Sequence, residues 1–118
     1  MEMFKEKAYS DLYTLKQDIT FRLVETINKL TEFYLYRDFQ HYFFWKSSFF
    51  ALFNEVYPFL KNKELIDELM KYFYQQDDFE GEAEKGINLW YDFLKELKER
   101  GIIDISKKQI TAENAWKV

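Results

Sequence analysis

YSDLYTLKQDITFRLVETINKLTEFY, residues 9–34, decides the fold. From Tyr9, apolar side chains recur at Leu12, Leu15, Ile19, Leu23, Ile27, Leu30 and Phe33/Tyr34. Steps of three and four keep them on one side of a helix, so the spacing predicts a helix of about 30 residues. Nothing interrupts it. The single proline is Pro58, and the three glycines, Gly81, Gly86 and Gly101, all lie beyond residue 80. Asp38 is a suitable N-cap, so the chain is expected to divide near Arg37 and start a second helix there. The alternative is one unbroken helix on to Tyr57, on the order of 75 Å long, a shape suited to an oligomer.

Pro58 disfavours helical geometry at Tyr57 and is expected to end the second helix. Asn62 caps a third, with the stripe Leu65, Ile66, Leu69, Met70 and Phe73 and acids in its first turns that complement the helix dipole. A loop over residues 75–81 leads to a fourth helix over residues 82–100. This helix is expected to bury Ile87, Trp90, Tyr91, Phe93, Leu94 and Leu97. Gly101 is placed to end it, with Ile102 as the apolar contact beyond. In residues 102–118 Ile103 and Ile105 alternate with Asp104, and Lys107 and Lys108 make a polar tip, the pattern of a small hairpin or a loop laid over the bundle. The expected fold is therefore all-α and four-helix bundle-like. It has two long N-terminal helices and a short C-terminal hairpin or irregular tail. Residues 1–118 form a single domain, with the bundle in 1–101 and the tail in 102–118.

Composition narrows the chemistry. A chain of 118 residues has the size of one domain. It has no cysteine, which removes disulfides, thiolate metal sites and thiol catalysis. The first residues, MEMFKEKAYSDLY, are charged and amphipathic and do not read as a signal peptide. The longest apolar run is five residues, 49–53, far short of the roughly 20 that a spanning helix needs. A cytoplasmic, membrane-free protein is expected. Charge is uneven: residues 64–84 carry eight acids against Lys71 alone, a net −7, which leaves +3 for the rest of a −4 chain. Such an acidic pole disfavours nucleic acid and suits a basic protein partner.

Rings are in surplus. Ten aromatic side chains stand in the 22 residues from Tyr36 to Tyr57, more than the core of one small domain needs. Phe21 projects from the face of the first helix opposite the Leu12–Leu30 stripe, and Phe44 does the same on the second. Both are expected to be covered in a homodimer. Lys46 falls inside the apolar arc of the second helix, which runs from Leu52 through Tyr42 and Phe53 to Phe43. A lysine there needs a partner or a path to water. Its stem is expected to cover the rings while its amine reaches water or an acid such as Glu25 or Glu32, and its functional reading is a charged anchor for an anionic ligand or a partner's carboxylate.

Other constellations are thinner. His41 is the single histidine, and Arg37 stands one turn before it on the same helical face. The segment Arg37-Asp38-Phe39-Gln40-His41 resembles the helical HEPN ribonucleases, small all-α domains with an arginine a few residues before a histidine. The resemblance implies that Arg37 would hold phosphate and His41 would handle the proton, across a dimer interface. It covers five residues, with a shorter gap than the family's usual one, and a solvated helix-end pair is the preferred reading. Asp38 and His41 also have the spacing of half a di-iron carboxylate site, which one histidine cannot complete within a monomer. The acidic run from Asp77 to Glu82 lacks the alternating ligands of a calcium loop. No metal or cofactor is expected.

Residues 94–111, LKELKERGIIDISKKQIT, have the look of the end of a winged-helix DNA-binding domain, with the fourth helix in the groove and Lys107 and Lys108 touching phosphate. The neighbouring −7 segment opposes such docking. The preferred expectation is a non-enzymatic, self-associating interaction module, of the kind common among accessory proteins of viruses and plasmids. The winged-helix regulator comes second and the HEPN-like ribonuclease third.

Overall fold

The stripe on the first helix finds its cover in the helix that follows it. In the computed structural model, which describes residues 12–75 and 78–103, α1 spans Leu12–Tyr36 and α2 spans Phe39–Val56. Ile19, Leu23, Ile27, Leu30 and Phe33 are buried along the predicted line. They face Tyr42, Trp45, Phe49, Leu52, Phe53 and Val56, which are buried on α2 at the same steps of three and four. The two helices run antiparallel. Arg22 pairs with Glu55 at 3.2 Å, and the rings of Phe33 and Tyr42 lie 5.5 Å apart at the other end.

The chain divides where Asp38 predicts. Asp38 is extended (φ −121°, ψ 167°) and its carboxylate accepts the His41 amide at 2.8 Å, which satisfies an orphan donor of the new helix. Arg37, just before it, adopts φ 50°, the left-handed conformation that reverses the chain. One continuous helix is thereby excluded.

Pro58 acts less abruptly than expected. The α-helix ends at Val56, but Tyr57 keeps right-handed helical angles and opens a 3-10 turn, Tyr57–Phe59, with Pro58 in its first turn. The missing proline N–H costs nothing there, because the first amides of a helix have no intrahelical acceptor.

The second pair of helices packs across α2. Helix α3 spans Lys63–Tyr74 and is capped by Asn62, whose side chain accepts the Leu65 amide at 3.1 Å. Its buried stripe is Leu65, Leu69 and Tyr72, so the expected Met70 is exposed and Tyr72 takes the inward place. Helix α4 spans Phe79–Glu99 and begins three residues earlier than predicted. Asp78 supplies the cap, accepting the Gly81 amide at 2.9 Å. Trp90, Phe93, Leu94 and Leu97 are buried as expected, while Tyr91 is exposed at 39%.

Gly101 ends α4 with φ 73°. Ile102 donates to the Leu97 carbonyl at 3.0 Å and Gly101 to that of Lys98 at 3.0 Å, the paired bonds of a Schellman motif. The centre of the molecule is aromatic. The indoles of Trp45 and Trp90 meet edge to face at 6.0 Å, and Phe49 lies 4.9 Å from Trp90 and 5.2 Å from Phe93. Four α-helices and no strand stand among the described residues, an all-α bundle-like fold. The expected hairpin or tail is represented by Ile102 and Ile103, both buried. Ile105, Lys107, Lys108 and Ile110 lie outside the described residues.

Candidate binding surface and pocket

Tight reversal at Arg37 gathers rings at one end of the molecule. Tyr36 stacks on His41 at 4.5 Å, and His41 meets Phe44 edge to face at 6.4 Å. Phe44 lies 6.4 Å from Phe43, Phe43 stacks on Phe39 at 6.1 Å, and Phe39 meets Phe79 of α4 at 5.9 Å. These contacts form one continuous surface, which we call the elbow. Most of it faces outward: Tyr36 and Phe39 are each 61% exposed, Phe43 51% and Phe44 39%. The ammonium of Lys29 lies 5.7 Å from the Phe44 ring. Phe21, 64% exposed, stands apart from the elbow on α1. At 100° per residue it shares an outward face with Val24 and Leu35, all three within about 60° of one another.

Lys46 lies beneath the elbow, and its partner is neither Glu25 nor Glu32. Its ammonium pairs with the Glu82 carboxylate of α4 and sits 4.7 Å from the Tyr72 ring of α3. The phenol of Tyr42 donates to the same Glu82 oxygen at 3.1 Å, and the hydroxyls of Tyr42 and Tyr72 are 2.6 Å apart. Each phenol has one proton and the carboxylate can only accept, so the consistent direction runs from Tyr72 to Tyr42 to Glu82. The group joins α2, α3 and α4 through one buried carboxylate. Glu82 compensates Lys46, so an anion entering here would meet a carboxylate beside the lysine.

Burial pushes both phenols up from the usual tyrosine value. The neighbouring Tyr72 and Glu82 push Tyr42 further, and Glu82 also pushes Tyr72 up. Gly86, one turn beyond Glu82, lets α4 approach. A Cβ built on it would lie 2.6 Å from Cζ of Tyr72 and closer still to the hydroxyl. Above the ion pair opens a cavity of about 310 Å³, lined by Phe39, Tyr42, Phe43, Lys46, Ser47, Phe50, Phe73 and Glu82.

Arg37 and His41 belong to different surroundings. The Arg37 guanidinium lies over the Phe33 ring at 5.1 Å, beside a hollow lined by Phe79 and Glu80. His41 is held by the Asp38 carboxylate at 2.8 Å and by the Tyr36 ring. The His41 amide and then its ring hold Asp38 below the usual carboxylate range.

A second surface has the opposite character. An open groove of about 700 Å³ runs between α3 and α4, where Glu64, Asp67, Glu68, Asp92 and Glu99 outnumber Lys71 and Lys95. At its end the buried Glu96 accepts the amides of Lys61 and Asn62 at 3.0 and 3.2 Å and the Arg100 guanidinium at 3.3 Å. Burial pushes this carboxyl up, but the two amides and Arg100 outweigh it and hold it below the ordinary value. Among the described residues, no helix is long and apolar enough to cross a membrane, and no group of three or more acids and histidines could hold a metal ion.

Sequence reasoning missed Glu82, Tyr72 and Glu96. A signal existed for the two acids. Continued backwards from Leu97 through Phe93, Leu89 and Gly86, the buried stripe of α4 reaches Glu82, and Glu96 lies beside Leu97 on the same side.

No protein-family profile matches the chain. Over 37 residues it is 51% identical to eukaryotic translation initiation factor 5 of Mus musculus, a stretch that covers 31% of this chain and 9% of the factor. The factor of Rattus norvegicus matches at 51% and that of Pongo abelii at 49%, over 37 residues in each case. The chain thus spans about a tenth of the length of these curated relatives. No solved structure matches it.

Proposed function

We propose that this chain is a non-enzymatic helical interaction module that self-associates through its aromatic elbow, with Phe21 and the outer face of α1 joining the interface. One observation carries the reading: the elbow rings touch one another in an unbroken series while remaining largely exposed. Fully buried rings contribute roughly 150–250 Å² each, so the exposed parts of the elbow amount to roughly 400 Å². Leu35 and Phe21 raise that to on the order of 600 Å², near the ~800 Å² per partner of a standard interface. A second copy would supply the matching apolar face. An accessory protein of a virus or plasmid is the setting in which we place it. The groove between α3 and α4 would then remain open to a basic protein partner, as its excess of carboxylates suits.

Sedimentation equilibrium tests the reading. Wild type is expected to be dimeric at tens of micromolar, on the order of what a standard-size interface supports. Phe44→Ser, and Phe21→Ser more weakly, should shift it to monomer without loss of helicity. A strictly monomeric wild type would refute the proposal.

The likeness to initiation factor 5 favours a second reading, in which the module docks on the translation machinery. Co-sedimentation of the purified chain with small ribosomal subunits at physiological salt is its test, and an empty pellet removes it.

A further inference from the structure

The 310 Å³ cavity between α2, α3 and α4 has a composition that an oligomer interface does not require. Its walls are the rings of Phe39, Phe43, Phe50 and Phe73, and its floor is an ion pair. The volume is at the lower end of ligand pockets, about 300–1,000 Å³, and leaves ample room for a single ring.

The floor fixes the polarity of the occupant. An ammonium has three N–H donors; that of Lys46 gives one to Glu82 and lies against the Tyr72 ring, which leaves donor capacity toward the cavity. The fitting ligand group is therefore an acceptor. It must also be neutral. The Lys46 charge is already balanced by Glu82, so a carboxylate ligand would set two negative charges side by side in a largely desolvated site. A cationic ligand would compete with Lys46 for Glu82 and repel it.

We propose that this cavity binds a neutral, single-ring aromatic compound bearing a carbonyl acceptor. The ring stacks among the four phenylalanines and the carbonyl accepts from Lys46 Nζ. The Ser47 hydroxyl stands at the same lining and can take a second polar contact with the ligand.

Benzamide, benzoate and benzylammonium have nearly the same shape and differ in charge, so they make the test. Each is titrated into the ¹⁵N-labelled 118-residue chain while amide shifts are followed. Benzamide should give saturable shifts confined to the amides of Phe39–Phe50, Tyr72–Tyr74 and Phe79–Gly86, with dissociation constants for the two charged probes at least about fivefold weaker. Lys46→Met should weaken benzamide by about the same factor. Ser47→Phe, a change at an exposed position, should fill the cavity and abolish the shifts while leaving thermal unfolding unchanged. Phe39 and Phe43 also belong to the elbow, so the titration is repeated in the Phe44→Ser chain, where the same saturable shifts are expected whether or not the wild type self-associates, which tells failure of the two readings apart. Equal binding of benzoate, shifts that survive Ser47→Phe, or no saturable shift with benzamide would each overturn the proposal.

Discussion

Gly86→Ala tests how tightly α4 is drawn onto the polar group beneath the elbow. In an unconstrained helix the change would stabilise by about 1 kcal/mol, because alanine is the better helix former. Here the new Cβ would lie 2.6 Å from Cζ and 2.9 Å from Cε1 of Tyr72, with the hydroxyl nearer still. Tyr72 is 2% exposed and packs against Phe49 and Phe73, so its ring has no free space to enter. Overpacking of this kind costs about 1–3 kcal/mol. Displacing the ring would also part the two phenols, and a buried hydroxyl left unmatched costs about 1–3 kcal/mol more. Set against the propensity gain, the expected net loss is about 3 kcal/mol. That is a large share of the 5–15 kcal/mol typical of a domain. Urea unfolding followed by far-ultraviolet circular dichroism measures it. In a Tyr72→Phe background the nearest atom is gone, so the penalty should fall. A Gly86→Ala protein as stable as wild type, or an equal penalty in both backgrounds, would refute the packing described.

Two further predictions concern titration. The Glu96 carboxyl is depressed in the fold, so its contribution is present above the unfolded glutamate value, near 4.3, and is lost as pH falls through the lower folded value. Glu96→Gln should therefore destabilise by about 1.5–3 kcal/mol at neutral pH and by progressively less in acid, read from urea midpoints across pH. The tyrosines titrate with the opposite sign. Burial, followed by the neighbouring Tyr91, pushes Tyr34 up to about 12, and Tyr42 and Tyr72 lie higher still. Their contribution is complete below the unfolded value near 10 and is lost as pH rises above it. Phenolate absorbance of the native protein near pH 11 should show at least three of the nine tyrosines unionised until the chain unfolds.

Local chemistry was legible and distant pairing was not. Asp38, Asn62 and Gly101 act on amides or carbonyls within a few residues, so their residue types alone marked three helix boundaries. The α1 stripe was equally clear, because one helix covers it along its length. Lys46 was recognised as a charge in an apolar arc, but its partner lies 36 residues away, inside a run of acids that reads as a solvated face. Only the turn of α4 separates Glu82, which faces inward, from Glu84, which faces water. Met70 and Tyr72 exchanged places for a related reason. Both sit on an amphipathic helix with apolar residues on several sides; Tyr72 falls in line with the buried Leu65 and Leu69, and its hydroxyl meets that of Tyr42 on another helix. The elbow was visible as surplus ring surface, but its continuity required the backbone reversal at Arg37.

The Trp45–Trp90 pair gives the molecule an optical signature of its own. Two fully buried indoles held 6.0 Å apart at 77° should couple their electronic transitions and share one asymmetric environment. Near-ultraviolet dichroism should therefore carry a strong, sharp band assigned to this pair. Since one indole comes from α2 and the other from α4, the band reports whether the two halves of the bundle are docked, even when helix content alone is unchanged. A collapsed state that keeps its helices but loses this contact would be silent there, which separates it from the native fold without any added label.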